Sequence, residues 1–330
     1  MAAQRGKRGD LKFGILGLGS IGLRHGRNIL QLGQNVLGFD PDTDRRTGFA
    51  EIGGRPTDTR ESILDECDNI VIATPNGQHQ NDLHEAISAG CHVFVEKPLS
   101  HSTEGLEAIL DRAKEQGLVV FAGLNQRFNP VIETAKSMIS DGTLGQILWA
   151  RLLCGSYLPD WRAGDDYRTG YAADTKTGGV LFDVIHEFDI ANFLLGSART
   201  INACTRNTGL LEISAEDCAD VVLEHDSGVR SVLHLDYVTR PGRRRVEVAG
   251  SNGLLELDVA GRQLQFYDKN GTVTHDRSWR SSADEDYLEE MKQFMRCITH
   301  GEAPRCDGRE AMRILCQVLA ARQISDLPSA

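Results

Sequence analysis

What this sequence has little of narrows its function before any motif is read. Positive charge is short: 36 Lys and Arg stand against 47 Asp and Glu, a formal net charge of −11. Nucleic-acid binders neutralise phosphates with surplus Lys and Arg, and anionic membrane surfaces attract the same residues. No nucleic-acid or membrane partner is therefore expected. Long apolar runs are missing, and none nears the ~20 residues that cross a bilayer. Cys-x-x-Cys pairs are missing too. The eight cysteines, at 67, 91, 154, 204, 218, 297, 306 and 316, stand apart, so neither a zinc site nor a dithiol redox motif has spacing to rest on. They read as reduced thiols of a cytoplasmic protein. Arg5, Lys7 and Arg8 ahead of Leu11–Leu23 superficially resemble a signal peptide, but Asp10 and Lys12 interrupt the run and five glycines dilute it. Residues 1–10 read as a short polar tail.

What is present is ordinary globular material, 40% apolar and 25% charged over 330 residues. That composition excludes collagen-like, disordered and coiled-coil chains. The length predicts two domains at ~150 residues each.

The first third alternates short apolar runs with helical patterns. The runs are Lys12–Leu16, Asn35–Phe39, Asn69–Thr74, His92–Val95 and Leu118–Ala122, with helices expected near 20–32, 59–67, 78–89 and 102–116. Runs rich in β-branched and aromatic residues suit strands buried on both faces, and repeated strand–helix–strand units predict a parallel sheet. The rhythm changes after about residue 125. A helix near 130–140 and a strand near 146–155 precede a polar stretch from Ser156 to Gly179 and an apolar helix at about 180–195. Seven strands follow, at 198–206, 218–225, 229–237, 243–250, 253–259, 263–267 and 271–275, and helices near 284–299 and 308–325 close the chain. Asp226-Ser-Gly228 and Ser251-Asn-Gly253 carry hairpin chemistry. The expected fold is an α/β Rossmann domain over 1–125, then an α+β domain over 126–330 with a large, mostly antiparallel open sheet.

Gly17-Leu-Gly-Ser-Ile-Gly22 is G-x-G-x-x-G after a strand and opening a helix, the context that a dinucleotide site requires. Gly17 permits the tight turn, Gly19 clears room for a pyrophosphate, and Gly22 lets helix and strand pack closely. Phosphate oxygens would sit on the free N–H groups at Ser20, Ile21 and Gly22. Asp40, ending the next strand, stands where a carboxylate accepts ribose hydroxyls and repels a 2′-phosphate. That predicts NAD over NADP, with Arg45 and Arg46 close enough to blunt the choice. The alternative for Asp40 is a turn-initiating residue before Pro41.

Two further places carry chemistry. Lys97 follows a strand, and ligands in open α/β sheets bind beyond the carboxyl ends of strands. Its ammonium there would polarise a substrate hydroxyl; otherwise it is a solvated lysine. Asp183, His186 and Asp189 are spaced i, i+3, i+6 in an apolar helix. An imidazole with an acidic neighbour is a candidate general base. A buried hydrogen-bond network is the alternative, and metal binding a weaker third. No metal is expected.

Together, Gly17–Gly22 with Leu23-Arg-His25, Ala73-Thr-Pro-Asn76 with His79, Glu96-Lys-Pro98, Asn125-Gln-Arg-Phe-Asn129 and the helix within Gly178–Gly196 resemble the glucose–fructose oxidoreductase / inositol dehydrogenase (Gfo/Idh/MocA) family. The resemblance runs along essentially the whole chain, to Asp307-Gly308 before the last helix. It implies NAD(P)-dependent oxidation or reduction of a sugar, cyclitol or related polyol. It implies that Lys97 is the catalytic lysine, His186 the proton acceptor and Asp183 its acidic partner. Thr74, Pro75, Asn76, His79, Glu96 and Arg127 would contact the cofactor. The common family spacing puts three residues between that Asp and His. Here only Val184 and Ile185 intervene, and Phe182 occupies the usual acidic slot. The segment Gly155–Arg168 resembles one branch of the family and offers Tyr157, Trp161, Arg162, Tyr167 and Arg168 as substrate contacts; a solvated loop is the alternative. Arg240 and Arg243-Arg244-Arg245 form a second basic cluster, suited to an acidic or phosphorylated sugar or to an exposed strand or interface. An open sheet face implies a homodimer or homotetramer. Rival readings are an NAD-dependent glycoside hydrolase of the same fold and a non-catalytic NAD-binding regulator.

Overall fold

The computed structural model describes residues 11–161 and 166–325. They form two compact units, the first from residues up to 100, 104–123 and 287–309, the second from 101–103, 124–286 and 310 onward. The division is not a single cut near residue 125, because residues 287–309 return to the first unit.

That unit is a Rossmann domain. Its strands are β1 (Lys12–Leu16), β2 (Asn35–Phe39), β3 (Arg55–Pro56), β4 (Asn69–Ile72), β5 (His92–Glu96) and β6 (Val120–Gly123). They form one parallel sheet in the order β3-β2-β1-β4-β5-β6. Phe13, Ile15, Ile70, Val71, Ile72, Val93, Phe94 and Val95 are fully buried, as strands sandwiched between helices must be. The helices are α1 (Ser20–Gln31), α2 (Thr43–Glu51), α3 (Arg60–Glu66), α4 (His79–Ser88) and α5 (Leu106–Glu115). Strand order reverses beside β1, so the loops after β1 and β4 flank the switch point where such sheets bind ligands. The sequence pattern did not announce α2. Phe49 is its one buried residue, and its start rests on Asp42, whose carboxylate accepts from the Asp44 and Arg45 N–H groups.

Phe294 explains the return of 287–309. It is fully buried and its ring meets those of Phe13, Phe94 and Phe121 at 6.3, 5.7 and 5.8 Å. Burying one such side chain is worth about 1.5–3 kcal/mol. The Ala122 N–H also donates to Cys306 O at 3.1 Å, extending the edge of β6.

The second unit contains α6 (Pro130–Ser140), β7 (Ile147–Gly155), α7 (Val180–Asp183), α8 (His186–Leu195) and seven strands. These are β8 (Ala198–Arg206), β9 (Cys218–His225), β10 (Arg230–Asp236), β11 (Arg243–Gly250), β12 (Gly253–Asp258), β13 (Gln263–Asp268) and β14 (Val273–Ser278). The chain closes with α9 (Ala283–His300) and α10 (Gly308–Ser325). The sheet runs β14-β13-β12-β11-β7-β10-β9-β8, antiparallel except for the parallel β7–β10 pair. Alternation is clean: Ala219, Val221 and Leu223 are fully buried, and Asp220, Val222 and Glu224 take the other face.

One buried pair ties α1 to the end of β5. His25 is fully buried, its ring 4.8 Å from that of Phe94. Its Nε2 lies 2.7 Å from Glu96 Oε1, and because a carboxylate only accepts, Nε2 carries the hydrogen. The other oxygen, Oε2, accepts the Lys97 N–H at 3.2 Å. Burial pushes the Glu96 carboxyl up, but the hydrogen bond and charge of His25 and the Lys97 ammonium outweigh it, so Glu96 titrates below its ordinary 4.5. A depressed carboxyl stabilises the fold above its unfolded value and loses that contribution as the pH falls. Replacing His25 by Phe strands a buried carboxylate, and we expect a loss of about 3–5 kcal/mol at pH 7. Urea unfolding of wild type and His25→Phe across pH 4–8 checks this. The gap is expected to narrow toward pH 4, and a pH-independent gap contradicts the assignment.

Candidate active site

The candidate residues of the first unit are gathered around α1. Gly17 has a φ of +89°, and a Cβ there would meet Ala73 O at 2.6 Å. A Cβ at Gly22 would strike Gly17 O at 1.9 Å. A Cβ at Gly19 meets nothing within 4 Å. Gly17 and Gly22 thus satisfy the fold, and Gly19 leaves open space. That space lies before a helix start with no side-chain cap and no acid in its first turn, at half-buried Ile21 and exposed Ser20. N–H groups so placed favour an anion. The residues present therefore fit a dinucleotide's phosphates at Gly19, Ser20, Ile21 and Gly22.

Asp40 is only 3% exposed. Its Oδ2 accepts from the Leu18 N–H at 2.8 Å and its Oδ1 from the Asp42 N–H at 2.9 Å. Asp40 therefore ties the glycine-rich turn to the end of β2 and also starts the turn at Pro41. Arg45 reaches Oδ2 at 3.4 Å, and Arg46 donates to Asp40 O at 2.6 Å. Carboxylate and guanidinium thus stand together at the end of β2.

Beyond β4, the Thr74 hydroxyl donates to Asp82, Pro75 is exposed and Asn76 is buried. His79 is 1% exposed. Its Nδ1 lies 2.7 Å from Pro98 O and its Nε2 2.7 Å from Thr74 O. Burial lowers its pKa against the pull of those two carbonyls. His79 thus lies between the loop after β4 and the loop after β5, a carbonyl oxygen of each within hydrogen-bond distance of its ring. Lys97 is half-buried directly after β5, its backbone held by Glu96.

In the second unit the apolar helix is broken. Asp183 ends α7 and His186 begins α8, with Val184 and Ile185 between them. The expected single helical face is therefore two short segments. Both residues are buried, 6% and 8% exposed. Asp183 Oδ2 accepts from the Tyr237 hydroxyl at 2.7 Å. Tyr237 is fully buried, and burial first, then the Asp183 carboxylate, raises its pKa. Tyr237 is the polar residue that sequence reasoning missed. It lies 54 positions from its partner and in no motif.

Asp189 does not join Asp183 and His186. Its Oδ1 accepts from Arg127 Nε and Nη2 at 2.8 and 2.6 Å, and Arg127 Nη2 also donates to Glu310 at 2.7 Å. Burial raises the Asp189 carboxyl, against the neighbouring guanidinium. Arg127, expected at the cofactor, is 2% exposed and spends its fork inside the second unit.

The loop residues divide. Trp161 Nε1 donates to Ser156 Oγ at 2.9 Å, and its ring meets that of Tyr237 edge-on at 5.4 Å. Arg240 lies over the Tyr157 ring at 3.2 Å. Through Tyr237, Trp161 belongs to the network around Asp183. Tyr167 is half-buried in a short 3-10 turn. Arg168 is exposed and paired with Asp166 and Glu212, both at 2.7 Å, which meets its charge at the surface. Arg162 lies outside the described residues.

Comparison with known proteins agrees with this geometry. Residues 11–124 match the model of the oxidoreductase family with an NAD-binding Rossmann fold, and residues 132–256 match the GFO/IDH/MocA C-terminal domain. The chain is similar to the D-xylose 1-dehydrogenase (NADP(+)) 2 of Haloferax volcanii, 26% identical over 92% of this chain and 94% of that protein. It is similar to the myo-inositol 2-dehydrogenase of Thermotoga maritima, 27% identical over 95% and 96%. A solved levoglucosan dehydrogenase in complex with NADH and levoglucosan shares the fold, with a TM-score of 0.86 at 19% identity over 96% of this chain and 97% of that one. A glycine-rich helix start fit for phosphates, a lysine fixed at the end of β5 and two matched family models lead to one conclusion: the chain belongs to the Gfo/Idh/MocA family of NAD(P)-dependent oxidoreductases.

Proposed function

We propose that this protein moves a hydride between NAD and a hydroxyl-bearing carbon of a sugar, cyclitol or sugar derivative. The observation that carries the reading is the open, uncapped start of α1, joined through His25 and Glu96 to the backbone of Lys97. When bound, the nicotinamide supplies the hydride-accepting carbon. Lys97 orients the substrate hydroxyl and stabilises negative charge on its oxygen. His186 takes the hydroxyl proton as the C–H bond breaks. Asp183, held by Tyr237, fixes the polar surroundings of that base. Tyr157 and Trp161 offer ring faces to the substrate. His79 holds the two loops around Lys97, and Arg127 and Arg168 act structurally.

NAD is favoured over NADP because the Asp40 carboxylate repels a 2′-phosphate, and Arg45 beside it limits the discrimination. We place the protein in the cytoplasm, in keeping with its eight free cysteines. We also propose a homodimer or homotetramer through the outer face of the second unit's sheet. There Trp149 and Val232 are exposed and lie on paired strands, with Arg151 over the Trp149 ring at 5.2 Å.

Three measurements check these readings. Lys97→Met and His186→Asn are each expected to lose at least about 100-fold in turnover while keeping NAD affinity, and wild-type rates from both would sink the assignment. Asp40→Asn is expected to move the NAD/NADP ratio of kcat/KM toward NADP by about tenfold, one charge repulsion of roughly 1.4 kcal/mol. An unchanged ratio removes Asp40 from specificity. Val232→Glu is expected to lower the mass seen by sedimentation, and an unaltered assembly shows that this face is not the interface.

A further inference from the structure

The second unit holds a cavity of about 700 Å³, within the usual range for small-ligand sites. It opens where β7 ends and β11 begins, against the β12–β13 turn and the chain entering α9. Its walls contain four arginines, Arg243, Arg244, Arg262 and Arg280, against a single carboxylate, Asp286. That is a reversal of sign in a chain of net charge −11.

Two of the four are neutralised. Arg262 grips Asp286 with both nitrogens, at 3.1 and 2.6 Å. Arg244 Nε lies 2.8 Å from Glu187 Oε1. The other two, Arg243 and Arg280, are exposed, and no ion pair to either is found among the described residues. The cavity is therefore left with positive charge to spare. Arg262 also has a φ of +53°, the one non-glycine residue in the left-handed region among those described. Such a conformation persists only where the surroundings enforce it, and here it sets a buried guanidinium into the cavity wall.

The remaining lining suits a sugar. Gln126 is 9% exposed, and its buried Oε1 accepts no hydrogen bond among the described residues. The residue belongs to the cavity lining. Half-buried Trp279 supplies an aromatic surface. The cavity also shares its framework with the proposed base. Glu187, the partner of Arg244, follows His186 directly, and Ser156 in the lining accepts from Trp161, which meets Tyr237.

We propose that this cavity is an anion-reading subsite, so that the preferred ligands are sugars bearing a carboxylate or a phosphate rather than neutral polyols. The proposal rests on the hydride-transfer reading above and narrows its substrate class.

The test is calorimetric titration of the NAD-loaded protein with matched triples: glucose, glucuronate and glucose 6-phosphate; galactose, galacturonate and galactose 6-phosphate. In at least one triple an acidic member is expected to bind tenfold or more tightly than its neutral counterpart, and more weakly as salt rises. Which acid wins separates carboxylate from phosphate recognition. The exposed-site variant Arg243→Ala/Arg280→Ala is expected to weaken that binding at least tenfold and to leave NAD affinity within twofold. Equal binding of neutral and acidic members, no binding of any acid at 20 mM, or acid binding indifferent to the variant each overturns the subsite. Arginine-dependent acid binding without NADH formation counts against the hydride-transfer reading and leaves the subsite standing. Hydride transfer to neutral sugars with no acid preference does the reverse.

Discussion

A single carboxylate, sunk in the core of the first unit, organises the chemistry around it. Glu96 is held at Oε1 by His25 of α1 and at Oε2 by the amide of Lys97. Helix α1 and the lysine beyond β5 therefore share one rigid joint. A charge buried this deeply survives only when its partners are in place, so the joint sits in the one register that the core allows. His79 reinforces the arrangement from the other side by bridging Thr74 and Pro98.

The second unit solves a similar problem differently. Its helix α8 is mostly buried, yet it carries His186, Glu187 and Asp189 among the buried residues. Arg244 answers Glu187, and Arg127 answers Asp189. Each ion pair is costly to desolvate and adds little net stability over an apolar replacement. What such pairs supply is definition: α8 cannot rotate or slide without uncovering a charge. His186, at the first residue of α8, inherits that definition.

Much of this was legible in the sequence, and the exceptions share a cause. The parallel strands announced themselves because residues such as Val93, Phe94 and Val95 leave no polar face. The strands and hairpins of the second sheet followed from alternation and from turns at Gly228 and Gly253. The glycine-rich turn was legible because Gly17 and Gly22 are demanded by local backbone geometry. What escaped were pairings distant along the chain. The family resemblance put Arg127 at the cofactor, and its partner Asp189, 62 residues on, was not paired with it, although acids in a buried helix were themselves a sign that cations were needed. The break at Val184 and Ile185 was invisible because apolar periodicity runs through it. Helix α2 was missed because a single buried phenylalanine leaves almost no pattern.

The return of residues 287–309 to the nucleotide-binding unit has a consequence for biosynthesis. Phe294 plugs a gap among aromatic rings contributed by β1, β5 and β6. On the ribosome, that gap stays unfilled until α9 has emerged. The amino-terminal segment therefore waits, with part of its greasy interior uncovered, while the intervening sheet is translated, and fragments that stop short of α9 inherit the same sticky defect.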